Sequence, residues 1–251
     1  MFGLFKKSNT VKNLQWIGVD IHSHLIPGID DGSPDAKTSM QYIRTLQELG
    51  FEKLICTPHI FQEIYPNNQQ TIHRALDILK QELSNQNLSI EIGAAAEYML
   101  NTDFNDILKG GESMMVLPGN HILVEMSYIS ETPNIEQHIF DLNIKGYKPI
   151  LAHPERYVFY HQNYGQYRRL KDMGALLQVN ILSFTGYYGK EIKAIAEKLL
   201  KDNLLDLIGT DLHHHKHLGV LKEFVESGKA YQLLGEYPFK NRELFTTVPV
   251  L

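Results

Sequence analysis

Four short segments of the chain carry histidine and carboxylate side chains, the residue types that bind divalent metal ions through nitrogen and oxygen. These segments are residues 20–24 (DIHSH), 57–59 (TPH), 151–156 (LAHPER) and 209–213 (GTDLH). Each follows an apolar run that is typical of a β-strand. One pair of histidines can arise in any sequence, but four such segments at predicted strand ends favour a single shared metal site.

The spacing within two of these segments places pairs of side chains on one face of the chain. Because side chains alternate between faces along a strand, His22 and His24 point the same way and could bind the same ion. Asp211 and His213 are related in the same manner. His59 comes directly after a proline, which stops a strand and exposes the side chain that follows. Taken singly, each of these residues could instead be a solvent-exposed loop residue.

Three carboxylates outside these segments are further candidates. Glu97 and Glu125 each end an apolar run. A carboxylate beside a buried strand is costly unless it is paired or bound to a metal ion, although a solvated strand end is the alternative. Asp31 lies in a glycine-rich turn, where aspartate is also a common turn former. Nine candidate ligands result: His22, His24, Asp31, His59, Glu97, Glu125, His153, Asp211 and His213.

Strand-like and helix-like segments alternate along the chain, and seven strands are predicted. They cover residues 16–21, 53–57, 89–95, 121–126, 148–152, 175–180 and 205–210. Seven βα units in strict alternation indicate a parallel sheet with right-handed crossovers. We expect the sheet to close into a barrel, since only a closed ring brings the first and last strands together.

The helix after the first strand has a predicted start and end. We expect Ser33 to be its N-cap and Pro34 its first residue, because proline suits the first helical position. Gly50 is expected to end the helix.

Composition limits the classes of protein to which the chain can belong. Its 251 residues include 43% hydrophobic residues, enough for a sizeable core, and a net charge of -5 argues against general binding to nucleic acid or anionic membranes. A single cysteine excludes an internal disulfide and fits a reducing cytoplasm. No apolar run reaches the roughly 20 residues of a membrane span. We expect a flexible extension at residues 1–15 and a single domain at residues 16–251.

The motif IHSHLIPGIDDG at residues 21–32 resembles that of the bacterial PHP-family protein-tyrosine phosphatases. Together with residues 57–59, 153–156 and 210–213, it is similar to the capsule and exopolysaccharide enzymes of the CpsB, CapC and YwqE type. The resemblance covers nearly the whole chain. It implies an α/β fold, a distorted (β/α)7 TIM-like barrel of the PHP superfamily. It also implies three divalent ions, with Mn²⁺ the usual choice, and the mixture of imidazole and carboxylate ligands also permits iron or zinc.

The resemblance further implies how the nine ligands divide among the three ions. The first ion is held by His22, His24, Glu97 and Asp211, the second by Glu97, Glu125 and His153, and the third by Asp31, His59 and His213. Four carboxylates contribute a charge of about -4 and three divalent ions +6, so the surplus suits a phosphate monoester dianion.

The expected mechanism is attack of a metal-bridged hydroxide on phosphorus, because bound ions lower the pKa of water. Arg156 is expected to clamp the phosphate oxygens; the alternative is a surface arginine paired with Glu155. His213 or a neighbouring histidine could protonate the tyrosine leaving group. The family often carries a second arginine after its last motif, where this chain has a His/Lys run. There Lys216 or His217 could substitute, or the run could simply be solvated.

The resemblance favours a metal-dependent protein-tyrosine phosphatase that acts on the tyrosine-rich tail of a bacterial tyrosine kinase controlling polysaccharide export. The alternatives are a small-molecule phosphatase of the same fold, such as a histidinol phosphatase, and a metal-stabilised binding module without turnover. An amidohydrolase would use a strand-end lysine where this chain has Glu125. A cysteine-dependent phosphatase is excluded because Cys56 lacks the CxxxxxR loop.

Two aromatic segments near the motifs could line the site. The first is a series of tyrosines whose favoured interpretation is packing, with stacking on phosphotyrosine as the alternative: Tyr157, Tyr160, Tyr164 and Tyr167. The second is the loop of residues 60–66, which could act as a lid.

Overall fold

Nine short strands occur in the part of the chain that this computed structural model describes, residues 11–110 and 113–246. They are β1 (Val19–Asp20), β2 (Lys53–Cys56), β3 (His59–Ile60), β4 (Glu91–Ala94), β5 (Glu97–Met99), β6 (His121–Glu125), β7 (Lys148–Ala152), β8 (Leu176–Asn180) and β9 (Leu207–Gly209). They form two sheets, β1-β2-β4 and β3-β5-β6-β7-β8-β9, in which every pairing is parallel. The predicted α/β class is confirmed.

Two of the seven predicted strands, at residues 53–57 and 89–95, end within one residue of the prediction, and each is followed by a further short strand that was not predicted. The second strand stops at Cys56 and resumes at His59, after Pro58, which lacks the N–H that a strand ladder needs. The third stops at Ala94 and resumes at Glu97. The resumed strands pair with each other, with His59 opposite Glu97. Two candidate ligands therefore lie side by side at the start of new strands.

Helices connect the strands and cover the outer face of the sheets. They are α1 (Ala36–Glu48), α2 (Gln69–Asn85), α3 (Thr102–Lys109), α4 (Ile135–Ile144), α5 (Val158–His161), α6 (Gly165–Asp172), α7 (Lys190–Lys201), α8 (His215–Glu226), α9 (Lys229–Leu234) and α10 (Asn241–Phe245). Short 3-10 helices cover Pro154–Arg156 and Ile181–Thr185. Within the described residues, no helix combines the length and the apolar character needed to cross a membrane.

The predicted start of α1 was wrong by two residues. The N-cap is Asp35, whose side chain accepts a 2.7 Å hydrogen bond from the backbone N–H of Thr38. Ser33 instead accepts a hydrogen bond from the hydroxyl of Ser39, at 2.9 Å. Aspartate caps a helix about as well as serine does, so the sequence offered two suitable N-caps and the chain uses the second.

Buried side chains lie on both faces of the strands. Ile55, Leu123, Ile150 and Leu207 belong to a small inner cluster that Phe245 of α10 joins. Their neighbours along the same strands belong to the larger cluster under the helices. Because successive strand residues point to opposite faces, this division is typical of a sheet that curves around an inner core.

The ends of the first and last strands are joined by backbone hydrogen bonds. The N–H of His24 donates to the carbonyl of Leu212 at 3.0 Å, and the N–H of Asp211 donates to the carbonyl of His22 at 2.7 Å. The side chain of Asn241 donates to carbonyls beside both strands. These contacts bring the two ends together as a barrel requires. The described strands form two sheets and not one ring, so closure stays a prediction.

The predicted boundary between extension and domain stays a prediction as well. Residues 1–10 lie outside the described residues. Leu14 is fully buried, and its N–H donates to the carbonyl of Leu49 at 2.6 Å. The chain is therefore already packed against the fold at Leu14, inside the predicted extension.

Candidate metal centre

All nine candidate ligands lie together, at or just beyond the carboxyl-terminal ends of β1, β2, β4, β6, β7 and β9. Their ligand atoms form four overlapping groups, within each of which all atoms lie within 4.8 Å of one another. The groups are His24, Asp31, His59 and His213; His22, His24 and Asp211; His22, Glu97 and His153; and His59, Glu97 and Glu125. Every group shares a residue with another, so the nine side chains make one continuous cluster.

The most regular part of the cluster contains the four residues assigned to the first ion. The Nε2 atom of His22 lies 3.2 Å from Glu97 Oε2 and 3.3 Å from Asp211 Oδ1. The Nε2 atom of His24 lies 3.4 and 3.5 Å from the same two oxygens and 3.4 Å from His22 Nε2. Ligands roughly 2.0–2.1 Å from a tetrahedral ion stand about 3.3–3.4 Å apart. The two imidazole nitrogens have this spacing from each other and from both carboxylate oxygens, as two ligands of such an ion do.

Glu97 lies at the middle of the cluster and is 1% exposed. Its Oε2 atom faces three imidazoles, since it also lies 3.2 Å from His59 Nδ1, and its Oε1 atom lies 3.1 Å from His153 Nε2. Glu97 Oε2 and His59 Nδ1 are buried without a hydrogen-bond partner. Buried polar atoms are nearly always satisfied, so these two atoms are suited to a ligand that a protein side chain does not supply.

The remaining candidates flank Glu97 on two sides. Glu125 Oε2 lies 3.8 Å from His153 Nε2, beside Glu97, which is the grouping expected for the second ion. Asp31 Oδ1 lies 3.5 Å from the Nε2 atoms of both His59 and His213, the grouping expected for the third. The geometry differs from the assignment in three places. His59 Nδ1 lies 3.0 Å from Glu125 Oε1, so His59 faces the second group as well. His22 is also grouped with Glu97 and His153, and His24 with the ligands expected for the third ion.

Three residues that were not predicted hold the ligands in place. The Nδ1 atom of His22 donates to Gln178 Oε1 at 2.7 Å, and the Nδ1 atom of His24 donates to Asp30 Oδ2 at 2.8 Å. The side chain of Asn180 donates to Asp211 Oδ2 at 2.6 Å. These bonds direct both histidine Nε2 atoms and the other aspartate oxygen toward the centre, as supporting residues do in metal sites.

The electrostatics of the cluster show strong mutual stabilisation of opposite charges. Burial alone would lower the pKa of His22, but the carboxylates of Glu97 and Asp211 raise it to about 9. Burial alone would raise the pKa of Glu97, but His22 and His153 hold it well below its usual range. The pKa of Asp211 is likewise held well below its usual range, mainly by His22 and His213 against burial. Protons and metal ions would therefore compete for the same ligand atoms.

Arg156 lies beside the cluster with its side chain 20% exposed. Its Nη1 atom donates to Asp211 Oδ2 at 3.0 Å. The alternative pairing with Glu155 is wrong, because Glu155 is fully buried and accepts hydrogen bonds from the N–H of Asn180 and the hydroxyl of Ser183. A guanidinium at this place can present further N–H groups to an anion in the adjoining pocket.

A pocket of about 350 Å³ opens over the cluster and exposes part of it to solvent. Its wall includes Phe61, Ile64 and Tyr65 from the loop of residues 60–66, and the ring of Tyr65 stacks on His59 with centroids 5.4 Å apart. The other wall includes Tyr128 and Tyr188. The predicted tyrosine series is mainly core: three of its members are at most 1% exposed, namely Tyr157, Tyr160 and Tyr167.

Comparisons with protein families and with curated proteins agree with a metal-dependent phosphatase site. The family model described as "Capsular polysaccharide synthesis, CpsB/CapC" matches residues 18–219. The chain belongs to the CpsB/CapC family. Its similarity extends to tyrosine-protein phosphatase YwqE from Bacillus subtilis, at 29% identity over 79% of this chain and 78% of the relative. A putative tyrosine-protein phosphatase CapC from Staphylococcus aureus is 27% identical over 78% and 76% of the two chains.

Solved structures agree with the family assignment. One solved structure matches this chain with a TM-score of 0.75 and 26% identity. It belongs to a study of YwqE from Bacillus subtilis and CpsB from Streptococcus pneumoniae, which are described as unique metal-dependent tyrosine phosphatases. The match covers 93% of this chain and 96% of that one. A zinc-containing histidinol phosphate phosphatase from Lactococcus lactis has a TM-score of 0.51 and 15% identity, and that likeness concerns the fold alone.

In this CpsB/CapC family member, the His/Lys run comprises residues 213–217 (HHHKH), and some of its side chains line the pocket whereas others lie on the surface. Lys216 is exposed on α8 and does not line the pocket, whereas His217 does and is buried. His217 Nδ1 lies 3.2 Å from the carbonyl of Asp211, and burial lowers its pKa to about 4. Of the two candidates for a second phosphate contact, His217 is the one at the pocket, and it is uncharged at neutral pH.

Proposed function

We propose that the chain is a metal-dependent protein-tyrosine phosphatase. The observation that carries the proposal is the convergence of nine metal-binding side chains around the buried carboxylate of Glu97, with Arg156 at the edge of the same pocket. The relatives in the CpsB/CapC family that are named tyrosine-protein phosphatases support the assignment of phosphotyrosine as the reacting group.

The ligand set fits divalent ions by its donor chemistry, its spacing and its unsatisfied buried atoms, and we propose that it holds three of them. The largest group of ligand atoms, His24, Asp31, His59 and His213, surrounds the proposed place of the third ion, and Glu97 would be shared by the first two. When bound, the ions would supply an activated hydroxide and the positive charge that phosphoryl oxygens need. Manganese is our proposal for their identity, which rests on the family resemblance.

The chain's own residues perform the remaining tasks. Arg156 would donate to the phosphoryl oxygens through the N–H groups that Asp211 does not occupy. A histidine beside the third ion, His213 or its neighbour His214, would supply the proton to the phenolate leaving group, and both line the pocket. Gln178 and Asp30 would keep the imidazoles of His22 and His24 in their orientation.

Cys56 has no part in this mechanism. Its thiol is fully buried, and burial raises its pKa to about 12. A thiolate nucleophile is the reactive form of cysteine, and this thiol would be protonated at neutral pH.

A protein substrate suits the pocket better than a small molecule does. Large apolar side chains stand exposed at or next to its rim: Ile64 is 59% exposed, Tyr128 is 40% exposed and Ile129 is 91% exposed. Such side chains can contact the polypeptide on either side of a phosphotyrosine. The tyrosine-rich tail of a bacterial tyrosine kinase that controls polysaccharide export, in the cytoplasm, is our proposal for the substrate, and it comes from the resemblance.

The test compares three substrates with manganese supplied: a phosphotyrosine peptide, a phosphoserine peptide and histidinol phosphate. We expect the phosphotyrosine peptide to have the highest kcat/KM, and a chelator to abolish its hydrolysis. Preference for histidinol phosphate would make the chain a small-molecule phosphatase. Tight manganese binding without hydrolysis of any substrate would support a binding module and refute the proposal.

A further inference from the structure

The guanidinium of Arg156 is held between two aromatic rings. Its Cζ atom lies 4.2 Å from the centroid of the Tyr128 ring and 4.4 Å from the centroid of the Tyr188 ring. A cation over an aromatic face at this distance is attracted by the negative charge of that face. With the bond to Asp211, the two rings leave the planar guanidinium little freedom to rotate or to swing away.

The topology explains why these three side chains meet. Tyr128 follows β6, Arg156 follows β7 and Tyr188 lies beyond β8, and these three strands are neighbours in the larger sheet. Each ring has support of its own behind it. The Tyr128 ring contacts the rings of His153 and Tyr157, with centroids 5.4 and 6.1 Å away, and that of Tyr188 contacts His217 at 5.9 Å. The arrangement is therefore a built feature of adjacent strand ends.

We propose that Tyr128 and Tyr188 are positioning residues that hold Arg156 in the orientation in which it binds the phosphoryl group of the substrate. This inference rests on the proposed phosphatase function. Among the described residues that line the pocket, Arg156 is the one arginine. A single guanidinium that is fixed before the substrate arrives loses less side-chain freedom on binding.

The rings, and not the hydroxyl groups, are the parts that matter for this role. The hydroxyl of Tyr188 is buried and has no hydrogen-bond partner, so it does not hold the ring or the guanidinium in place. The hydroxyl of Tyr128 lies 3.3 Å from His153 Nε2, so its hydrogen-bond partner is an imidazole and not the guanidinium. Phenylalanine at either position would keep the contact with Arg156, whereas leucine would remove it.

The experiment measures kcat/KM for a phosphotyrosine peptide and the inhibition constant of inorganic phosphate in the manganese-loaded chain. Tyr128→Leu and Tyr188→Leu are each expected to lower kcat/KM about tenfold, which corresponds to about 1.4 kcal/mol, and to weaken phosphate inhibition similarly. The phenylalanine variants should recover most of the loss. Tyr128 is partly exposed, so its leucine variant should fold even if the variant at Tyr188 does not.

A double-mutant cycle separates positioning from general damage to the pocket. In an Arg156→Ala background, the leucine variants should change kcat/KM less than twofold, because the residue through which they act is gone. The matched control is Tyr164→Leu, which removes a similar contact with Lys198, at 3.6 Å, away from the pocket. That variant should retain parent kinetics and metal content.

Three results would overturn the inference. Leucine variants with parent kinetics would show that the rings do not matter, and equal losses with and without Arg156 would show that they act elsewhere. Losses in the phenylalanine variants as large as those in the leucine variants would assign the effect to the hydroxyls. If the parent chain itself fails to hydrolyse phosphotyrosine, the proposed function fails, and that outcome is read from the parent alone.

Discussion

Glu97→Gln is the substitution that tests the centre of the metal site most directly. Glutamine keeps the shape of the side chain but replaces one carboxylate oxygen by an amide nitrogen and removes the negative charge. The native carboxylate has imidazole nitrogens of His22, His59 and His153 within 3.1–3.2 Å. If Glu97 bridges two ions, the substitution should weaken the binding of both, whereas loss of a terminal ligand would weaken one.

The size of the effect follows from burial. Removing one partner from a buried ion pair costs about 3–5 kcal/mol, because the other charge is left uncompensated. Since each 1.4 kcal/mol is about a factor of ten, we expect the affinity for the first two ions to fall by roughly 100- to 3,000-fold. Turnover at micromolar manganese should fall with the occupancy and recover partly at millimolar manganese.

The assay pairs metal analysis with kinetics. Bound manganese per chain is measured after desalting, and kcat/KM for a phosphotyrosine peptide is measured across a manganese titration. Glu63→Gln is the matched control, because Glu63 is an exposed glutamate in the loop beside the pocket and loses the same charge. Full occupancy and parent turnover in Glu97→Gln would refute the bridging role.

Three further predictions concern the phosphate contact, the nucleophile and pH. Arg156→Ala should lower kcat/KM about a hundredfold, because a fixed transition-state donor is lost, and its metal content should not change. Arg156→Lys should recover part of the loss. If both variants have parent kinetics, Arg156 does not contact the phosphoryl group. Cys56→Ser should keep most of the activity, whereas chelation should abolish the activity and added manganese should restore it. An enzyme that resists chelators but is inactivated by Cys56→Ser would show that the thiol, and not metal-activated water, is the nucleophile. The metal-free chain should lose thermal stability as pH rises from 6.5 to 9, because the raised pKa of His22, about 9, stabilises the fold only while its proton is bound. The manganese-loaded chain should lack this decline, and a metal-free melting temperature that rises over the window would contradict the charge balance described above.

The sequence was sufficient to predict the fold class and the residues that meet at the pocket. Both depend on short-range patterns: alternation of strands and helices for the fold, and two-residue spacing for the pairs His22 and His24, and Asp211 and His213. Convergence of strand ends in a parallel sheet then brings distant motifs together. The family resemblance supplied the division of ligands among ions, which spacing alone left open.

The features that escaped prediction depend on contacts between distant segments. Gln178 and Asn180 are polar residues two apart on a predicted strand, a signal for a shared face, but their partners, His22 and Asp211, lie 156 and 31 residues away along the chain. Tyr128 and Tyr188 are 60 residues apart and meet only because their strands are nearly adjacent. The breaks after Cys56 and Ala94 lie at the predicted strand ends, residues 57 and 95, but the short strands that follow them, β3 and β5, were missed because the apolar runs stop there.

Those breaks help to explain how one carboxylate can serve the whole cluster. A continuous third strand would run past the pocket edge, but its resumption at Glu97 places that residue beside His59, opposite it in the new ladder. From this position Glu97 contacts His22 and His24, which follow β1, and His153, which follows β7. The resulting cluster holds five histidines and four carboxylates in mutual contact. Protons on the histidines can balance the carboxylates when metal is removed, so metal loss need not unfold the site, and we expect inactivation by chelation to be reversible.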